Sequence, residues 1–149
     1  MKKISYISFF TATSIYLFAQ TNTLQDSIKR GKVVYNKVCL SCHMADGSGV
    51  PKMNPPLTVA EYMNDKKKMI SIVLKGMNDR IPIDDEYYSN AMAPHADLSN
   101  QQIADVLTYV RNSFGNKAGA VSVAEVAAVR TPAKPAAKSV SNNTINKKQ

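Results

Sequence analysis

The sequence predicts an all-α domain. Apolar residues recur at helical spacing in three stretches, which are residues 25–38, 65–75 and 99–114. The segments between them, 44–57 and 77–98, contain glycines and prolines and predict irregular loops. A five-residue motif at 39–43 directly follows the first helical stretch and holds both cysteines and one of the two histidines of the chain. We therefore expect helices and loops arranged around this motif.

The first helix is predicted to begin near residue 25, with Thr23 or Asp26 as its N-cap, and to run into the motif. Its apolar face consists of Ile28, Val34, Tyr35 and Val38. Gly31 lies in the middle of this helix, where glycine costs about 1 kcal/mol relative to alanine. We therefore expect another helix to pass close to the first one at Gly31.

Two helices are predicted in the middle of the chain. A short one covers residues 58–64, and a clearer one covers 65–75, capped by Asn64 or Asp65 and ended by Gly76. The apolar face of the clearer helix consists of Met69, Ile70, Val73 and Leu74. Its three consecutive lysines predict a solvated face, with a docking patch for an acidic partner as the alternative.

The last helix has the clearest signals. Ser99 is the predicted N-cap, Gln102 completes a capping box, and Gly115 ends the helix. The apolar face consists of Ile103, Val106, Leu107, Val110 and Phe114. Tyr109 lies in the same helix, and we expect it to cross the first helix at Gly31.

The motif at residues 39–43 carries the chemistry. On a helix, positions i, i+3 and i+4 share a face, so Cys39, Cys42 and His43 would present two thiols and an imidazole side by side. Covalent haem attachment needs this set, because the thiols add to the two haem vinyl groups and the imidazole ligates the iron. C-x-x-C-H is the signature of c-type haem. The motif therefore predicts one covalent haem c, with its iron, per chain.

Two other interpretations of the cysteines are weaker. A thioredoxin-like dithiol normally opens a helix after a strand, and no β-α-β pattern precedes Cys39. A zinc site would need a fourth ligand, for which His95 is the other histidine and no second cysteine pair exists. No second catalytic constellation is predicted either, since the acidic run at residues 84–86 fits a solvated turn better than a paired acid and base.

The ends of the chain have a different character from its middle. Lys2 and Lys3 precede an apolar run with a small residue at position 19, so residues 1–20 are predicted to be a secretory signal peptide cleaved near Ala19 or Gln20. An uncleaved membrane anchor is the alternative. Residues 21–117 form the predicted domain, 118–130 an extension packed on it, and 131–149 a disordered basic tail.

The net charge of +8 does not indicate a nucleic-acid binder. Most of this charge lies in the predicted signal peptide and in the residues after 117, so the domain itself is close to neutral. The domain has no tryptophan and few aromatic residues, so few large side chains are available to fill its core. Two long loops in so small a domain would also normally count against the assignment of its helices. A haem that fills the core and is wrapped by those loops resolves both difficulties.

Residues 29 to about 115 resemble a class I monohaem cytochrome c. The resemblance rests on Gly31 and Tyr35, residues 39–43, Pro55-Pro56-Leu57, Met92-Ala93-Pro94, and Val106 with Tyr109. It implies orthogonally packed helices around one covalently attached haem. It also implies that the carbonyl of Pro55 orients His43, the proximal iron ligand.

The resemblance places Met92 as the sixth ligand, although Ala93 stands where the family usually has proline. Met77, His95 and an open sixth site are the alternatives. Of the other methionines, Met44 and Met53 lie too near the haem motif, and Met63 and Met69 fit helix packing.

His/Met ligation predicts an electron carrier, because a thioether ligand raises the potential and two filled axial positions leave no place for a substrate. The predicted function is exported single-haem electron transfer between a protein donor and an acceptor in a periplasmic respiratory or dehydrogenase chain. A subunit held permanently by a dehydrogenase or reductase is the alternative. Peroxidase-like activity would require an open sixth site, and membrane association would come through a partner or the tail.

Overall fold

The computed structural model describes residues 24–131. The predicted signal peptide, and the predicted tail apart from residue 131, lie outside the described residues. The helices are α1 (residues 24–38), α2 (Leu40–His43), α3 (Ala60–Asn64), α4 (Lys66–Lys75), α5 (Asn100–Val110) and α6 (Val123–Arg130). The strands are β1 (Ile81–Ile83) and β2 (Glu86–Tyr88), which pair as an antiparallel two-stranded sheet. The all-α prediction is confirmed for a structure that is mostly helical.

Helices α1 and α5 cross at Gly31, as predicted. A Cβ atom built on Gly31 would overlap the backbone carbonyl of Asp105 and lie 2.7 Å from Cβ of Tyr109. The two backbones therefore touch, which explains a glycine in the middle of a helix. The predicted cap is wrong in part, because Leu24 is already helical and Asp26 consequently lies inside α1.

The buried carboxylate of Asp105 stabilises the crossing of α1 and α5. Asp105 is 3 % exposed, and it accepts hydrogen bonds from Ser27 Oγ at 2.6 Å and from Arg30 at 2.7 and 2.9 Å. Burial alone would raise the pKa of Asp105, but the hydrogen bonds from Arg30 and Ser27 outweigh it and lower that pKa. The charge on Asp105 therefore links α5 to the solvent side of α1.

Helix α5 has the predicted capping box but ends earlier than predicted. Ser99 accepts from the backbone of Gln102, and the Gln102 side chain accepts from the backbone of Ser99. The last helical residue is Val110, so the placement of Phe114 on the apolar face of this helix is wrong. Phe114 instead adopts a positive φ of 58°, which turns its ring onto Tyr35 and Tyr109 with centroids 5.4 and 5.6 Å away.

Helix α6 packs against both α4 and α5. Its Val126 is fully buried, and Ser122 with Glu125 forms a second capping box at its start. Lys66 Nζ lies 3.0 Å from Glu125, which joins the start of α4 to α6. Lys66 and Lys68 are only partly exposed, with Nζ of Lys68 4.3 Å above the ring centroid of Tyr62, whereas Lys67 is exposed, as a solvated face requires.

The β1–β2 hairpin corrects the prediction of an irregular loop at 77–98. Ile81 pairs with Tyr88 and Ile83 with Glu86, which leaves a two-residue turn. Both turn residues, Asp84 and Asp85, have positive φ, the geometry that matches the twist of a tight hairpin. Among the described residues, no helix is both long and apolar enough to cross a membrane.

Candidate functional site

The cysteine motif begins where α1 stops. The Cys39 amide donates to the carbonyl of Tyr35, and the His43 amide donates to that of Cys39 at 2.9 Å, so the chain keeps helical hydrogen bonding from α1 into α2. Cys39 and His43 are half-buried and line a cavity, whereas Cys42 is exposed. The structure thus brings one thiol and the imidazole to the cavity wall and leaves the second thiol at the surface.

The His43 ring is held by a proline. Nδ1 of His43 lies 3.2 Å from the carbonyl oxygen of Pro55, and because a carbonyl only accepts, Nδ1 carries the proton. Burial lowers the pKa of His43, with the Pro55 hydrogen bond opposing it, and the lowered pKa favours the neutral ring. A neutral imidazole with its Nδ1 occupied offers Nε2 as the nitrogen that can ligate a metal.

The loop that carries Pro55 folds back on the motif. The amide of Leu57 donates to the carbonyl of Gly47 at 2.8 Å, and the amide of Gly49 donates to that of His43 at 3.2 Å. Gly49 has a φ of +68°, and a Cβ there would lie 2.8 Å from the Pro55 oxygen. Glycine at this position therefore lets the loop approach closely enough to aim the Pro55 carbonyl at His43.

Met92 reaches the cavity from a different part of the chain. Its amide donates to the carbonyl of Met77 at 2.8 Å, and the Met77 amide donates back at 3.0 Å. Gly76 has a positive φ of 73°, and a Cβ there would collide with the Met92 carbonyl. Met77, Met92 and His95 all line the cavity, so the alternatives to Met92 lie near it as well.

The cavity is partly open, and the empty space within and around it, including open solvent, amounts to about 850 Å³. Its walls are almost entirely apolar; they include Leu57, Met63, Ile72, Val73, Val106 and Leu107. Two imidazoles, those of His43 and His95, and several thioethers are the donors that such a wall offers to iron. A large apolar macrocycle with an iron at its centre fits this donor set and this lining.

The competing interpretations of the cysteines fit less well. Burial raises the pKa of the Cys39 thiol to about 11, whereas a reactive dithiol has a lowered thiol pKa. Within residues 24–131, no group of three or more His, Cys, Asp or Glu side chains is arranged to hold a metal ion, as the zinc interpretation requires.

The hairpin contributes wall residues that the sequence analysis missed. Ile81 and Ile83 line the cavity from β1. The amide of Asn90, just after β2, donates to the carbonyl of Met53 at 3.1 Å, which ties the hairpin to the loop near Pro55. Alternation of Ile81, Pro82 and Ile83 before a two-residue acidic turn was the available signal.

A helical domain that encloses an apolar cavity, with a C-x-x-C-H motif at its wall, defines a c-type haem protein. Residues 28–114 match the cytochrome c family. The chain belongs to the cytochrome c family, and membership of this family implies covalent haem c with its iron.

Curated relatives include both small cytochromes and subunits of larger complexes. The cytochrome c subunit of alcohol dehydrogenase (quinone) from Gluconacetobacter polyoxogenes is 34% identical over 114 residues, which are 73% of this chain and 24% of the relative. The fructose dehydrogenase cytochrome subunit of Gluconobacter japonicus is 31% identical over 121 residues, 77% of this chain and 25% of the relative. Cytochrome c-552 of Thermus thermophilus is 30% identical over 83 residues, 52% of this chain and 63% of the relative. The chain thus spans about a quarter of the dehydrogenase subunits that it matches.

Proposed function

We propose that this chain is an exported single-haem carrier that moves electrons between a protein donor and an acceptor in a periplasmic respiratory or dehydrogenase chain. In this proposal Cys39 and Cys42 form the thioether links, and His43 and Met92 are the axial iron ligands. The observation that carries the proposal is that His43 and Met92 line one apolar cavity while Pro55 occupies the other nitrogen of His43.

Each proposed ligand is held by a backbone group from another segment of the chain. Pro55 fixes the ring plane and tautomer of His43, as the outer partner of a ligating histidine usually does. The paired hydrogen bonds to Met77 fix the backbone of Met92. A thioether ligand stabilises ferrous iron and raises the potential, which suits an electron carrier. Rigid ligands on both sides also keep the change of geometry on reduction small.

The proposed activity needs no catalytic residue. The cavity wall is apolar, so the haem supplies the redox change while the protein excludes water and holds the axial side chains. Of the acidic residues at 84–86, Asp84 and Asp85 form the exposed hairpin turn and Glu86 begins β2. We accordingly propose that the chain is not itself an enzyme.

The proposed organisation of the chain follows from its composition. Residues 1–20 are a signal peptide that directs export, 21–117 the haem domain, 118–130 an extension packed on it, and 131–149 a basic tail. The contacts of α6 with α4 and α5 support the third assignment. Export suits the chemistry, because c-type haem is attached on the outer side of the membrane.

The optical spectrum tests the proposed ligation. The haem-loaded ferric protein is expected to show the weak far-red band of sulfur-to-iron ligation, and Met92→Ala is expected to abolish it. Met53→Ala is the matched control, since Met53 is 51% exposed, and it should leave the band intact. Met77→Ala should also retain it. A wild-type spectrum without the band, or a Met92→Ala spectrum that keeps it, would contradict the assignment of Met92.

A permanently bound dehydrogenase or reductase subunit is the second candidate. It is favoured by the two relatives named as dehydrogenase subunits, each of which is about four times as long as the matched region. Ionic strength separates the candidates. A freely diffusing carrier should dissociate from its partner in high salt, whereas a subunit with a large apolar interface should co-purify with it under the same conditions.

A further inference from the structure

Arg130, the last residue of α6, forms hydrogen bonds to the start of α5 and to the residues just before it. Its Nε donates to Oδ1 of Asn100 at 2.7 Å, and its two terminal nitrogens donate to the carbonyls of Ala96 and Leu98 at 2.8 and 2.6 Å. Three bonds from one planar guanidinium fix both the position and the orientation of this short stretch. Only three residues lie between Met92 and Ala96, whose carbonyl is the nearer of the two in sequence.

The segment of residues 92–98 is bound on its other side to the end of α4. His95 donates its amide to the carbonyl of Val73 at 2.8 Å, and Met92 pairs with Met77 just after α4. Residues 92–98 are therefore fastened to α4 at one side and to α6 at the other. The amide of Leu98 closes a turn onto the carbonyl of His95 at 3.2 Å, which couples the two fastenings.

Helix α6 is a firm support for Arg130. Val126 is fully buried in the core, and the capping box of Ser122 and Glu125 closes the start of the helix. Lys66 adds an ion pair to Glu125 at that same end. Val129, next to Arg130, packs against the core as well, so Arg130 stands on a helix that is anchored along its length.

We propose that Arg130 is a positioning residue that keeps the Met92 sulfur at the sixth coordination site. The inference rests on the proposed function, because it takes Met92 as the ligand. Without the three guanidinium hydrogen bonds, residues 96–98 lose their attachment to α6. The fraction of molecules in which the Met92 sulfur has left the sixth coordination site then increases. An added ligand that needs the vacated place then binds more tightly in proportion to that fraction.

Imidazole binding to the ferric haem-loaded protein measures that fraction. Arg130→Met is expected to lower the apparent Kd for imidazole about tenfold, which corresponds to about 1.4 kcal/mol. Arg130→Lys keeps the charge but not the fork, and should give an intermediate value. Lys66→Met is the matched control, because it removes the ion pair between α4 and α6 and leaves the Arg130 bonds intact, and its Kd should stay within about twofold of wild type. Far-ultraviolet circular dichroism establishes that each variant is folded at the working temperature.

Asn100→Ala keeps the test usable if Arg130→Met does not fold, because it removes one of the three bonds without changing α6. Its expected effect is a decrease in Kd of about twofold to threefold. An unchanged Kd in folded Arg130→Met, with a wild type that shows the far-red band, would overturn this inference alone. An equal decrease in Lys66→Met would overturn it too, since the effect would then be general destabilisation. A wild type without the band would refute the proposed ligation and this inference with it.

Discussion

Replacing Gly31 with alanine tests the contact that organises the fold. An alanine Cβ at this position would lie 2.6 Å from the carbonyl carbon of Asp105 and 2.7 Å from Cβ of Tyr109. Cβ atoms in proteins essentially never approach other heavy atoms more closely than 3.0 Å. Since the obstacle is backbone, no rotamer change relieves it, and α1 must move away from α5.

The size of the effect follows from two opposing terms. Overpacking in a close-packed interior costs about 1–3 kcal/mol, and a clash with backbone belongs at the upper end of that range. Alanine in place of glycine inside a helix returns about 1 kcal/mol. We therefore expect the free energy of unfolding to fall by about 2 kcal/mol, because the packing loss outweighs the gain in helix propensity.

Guanidinium unfolding of the haem-loaded protein, followed by far-ultraviolet circular dichroism, measures this loss. Gly119→Ala is the matched control, because a Cβ on Gly119 would meet no atom within 4 Å. It should be neutral or slightly stabilising. If Gly31→Ala remained within about 0.5 kcal/mol of wild type, the helices would not be in backbone contact at Gly31 and the reasoning would be refuted.

Two further predictions concern buried polar groups of α5. Hydrogen bonds lower the pKa of Asp105, so the stability that its charge contributes is present above its ordinary pKa of 3.8 and is lost as the pH falls below that value. The free energies of unfolding of wild type and Asp105→Asn, measured in urea, should therefore differ at pH 7 and converge toward pH 3. A difference that does not change with pH would contradict this prediction. Thr108 Oγ1 accepts a hydrogen bond from the buried amide of Val121 at 3.0 Å. Thr108→Val should therefore lower the free energy of unfolding by about 1–3 kcal/mol, and Thr108→Ser, which keeps the hydroxyl, should lower it less. Equal losses in the two variants would show that the hydroxyl is unimportant.

Local signals in the sequence predicted most of the helical framework. The capping box of Ser99 and Gln102 is present as expected, and Asp65 accepts from the backbone of Lys68 at the start of α4. Gly31 predicted the helix crossing, because a glycine that weakens its own helix needs a reason outside that helix. Such signals succeed because caps and close approaches depend on residue types at short, fixed spacing.

The sequence could not predict features that depend on long-range partners. Phe114 continues the apolar period of α5, yet its ring turns back onto Tyr35 because the aromatic cluster stabilises a positive φ. Arg130 contributes one more positive charge at the start of a basic stretch, and nothing in its neighbours indicates bonds to residues 96–100. The sequence around Lys66 likewise does not predict its ion pair with Glu125, which forms because the packing of α6 brings the two residues together.

The candidate site was predictable to different degrees along the chain. Residues 39–43 carry a motif whose chemistry is local. The carbonyl of Pro55 lies beside His43, and its role in orienting an iron ligand stays a prediction. The assignment of Met92 stays a prediction, because Met77 and His95 line the same cavity. Their nearness arises from the backbone pairing of Met77 with Met92, which no short sequence pattern encodes.

Carbon monoxide binding by the ferrous haem-loaded protein tests the closed, electron-transfer site most directly. If the Met92 sulfur fills the sixth position, the wild type should leave carbon monoxide unbound under conditions in which Met92→Ala binds it readily. The Soret region of the absorption spectrum follows both reactions. Ready binding by the wild type would mean an open or easily vacated sixth site, and ligand binding or catalysis at iron would then replace electron carriage as the better explanation.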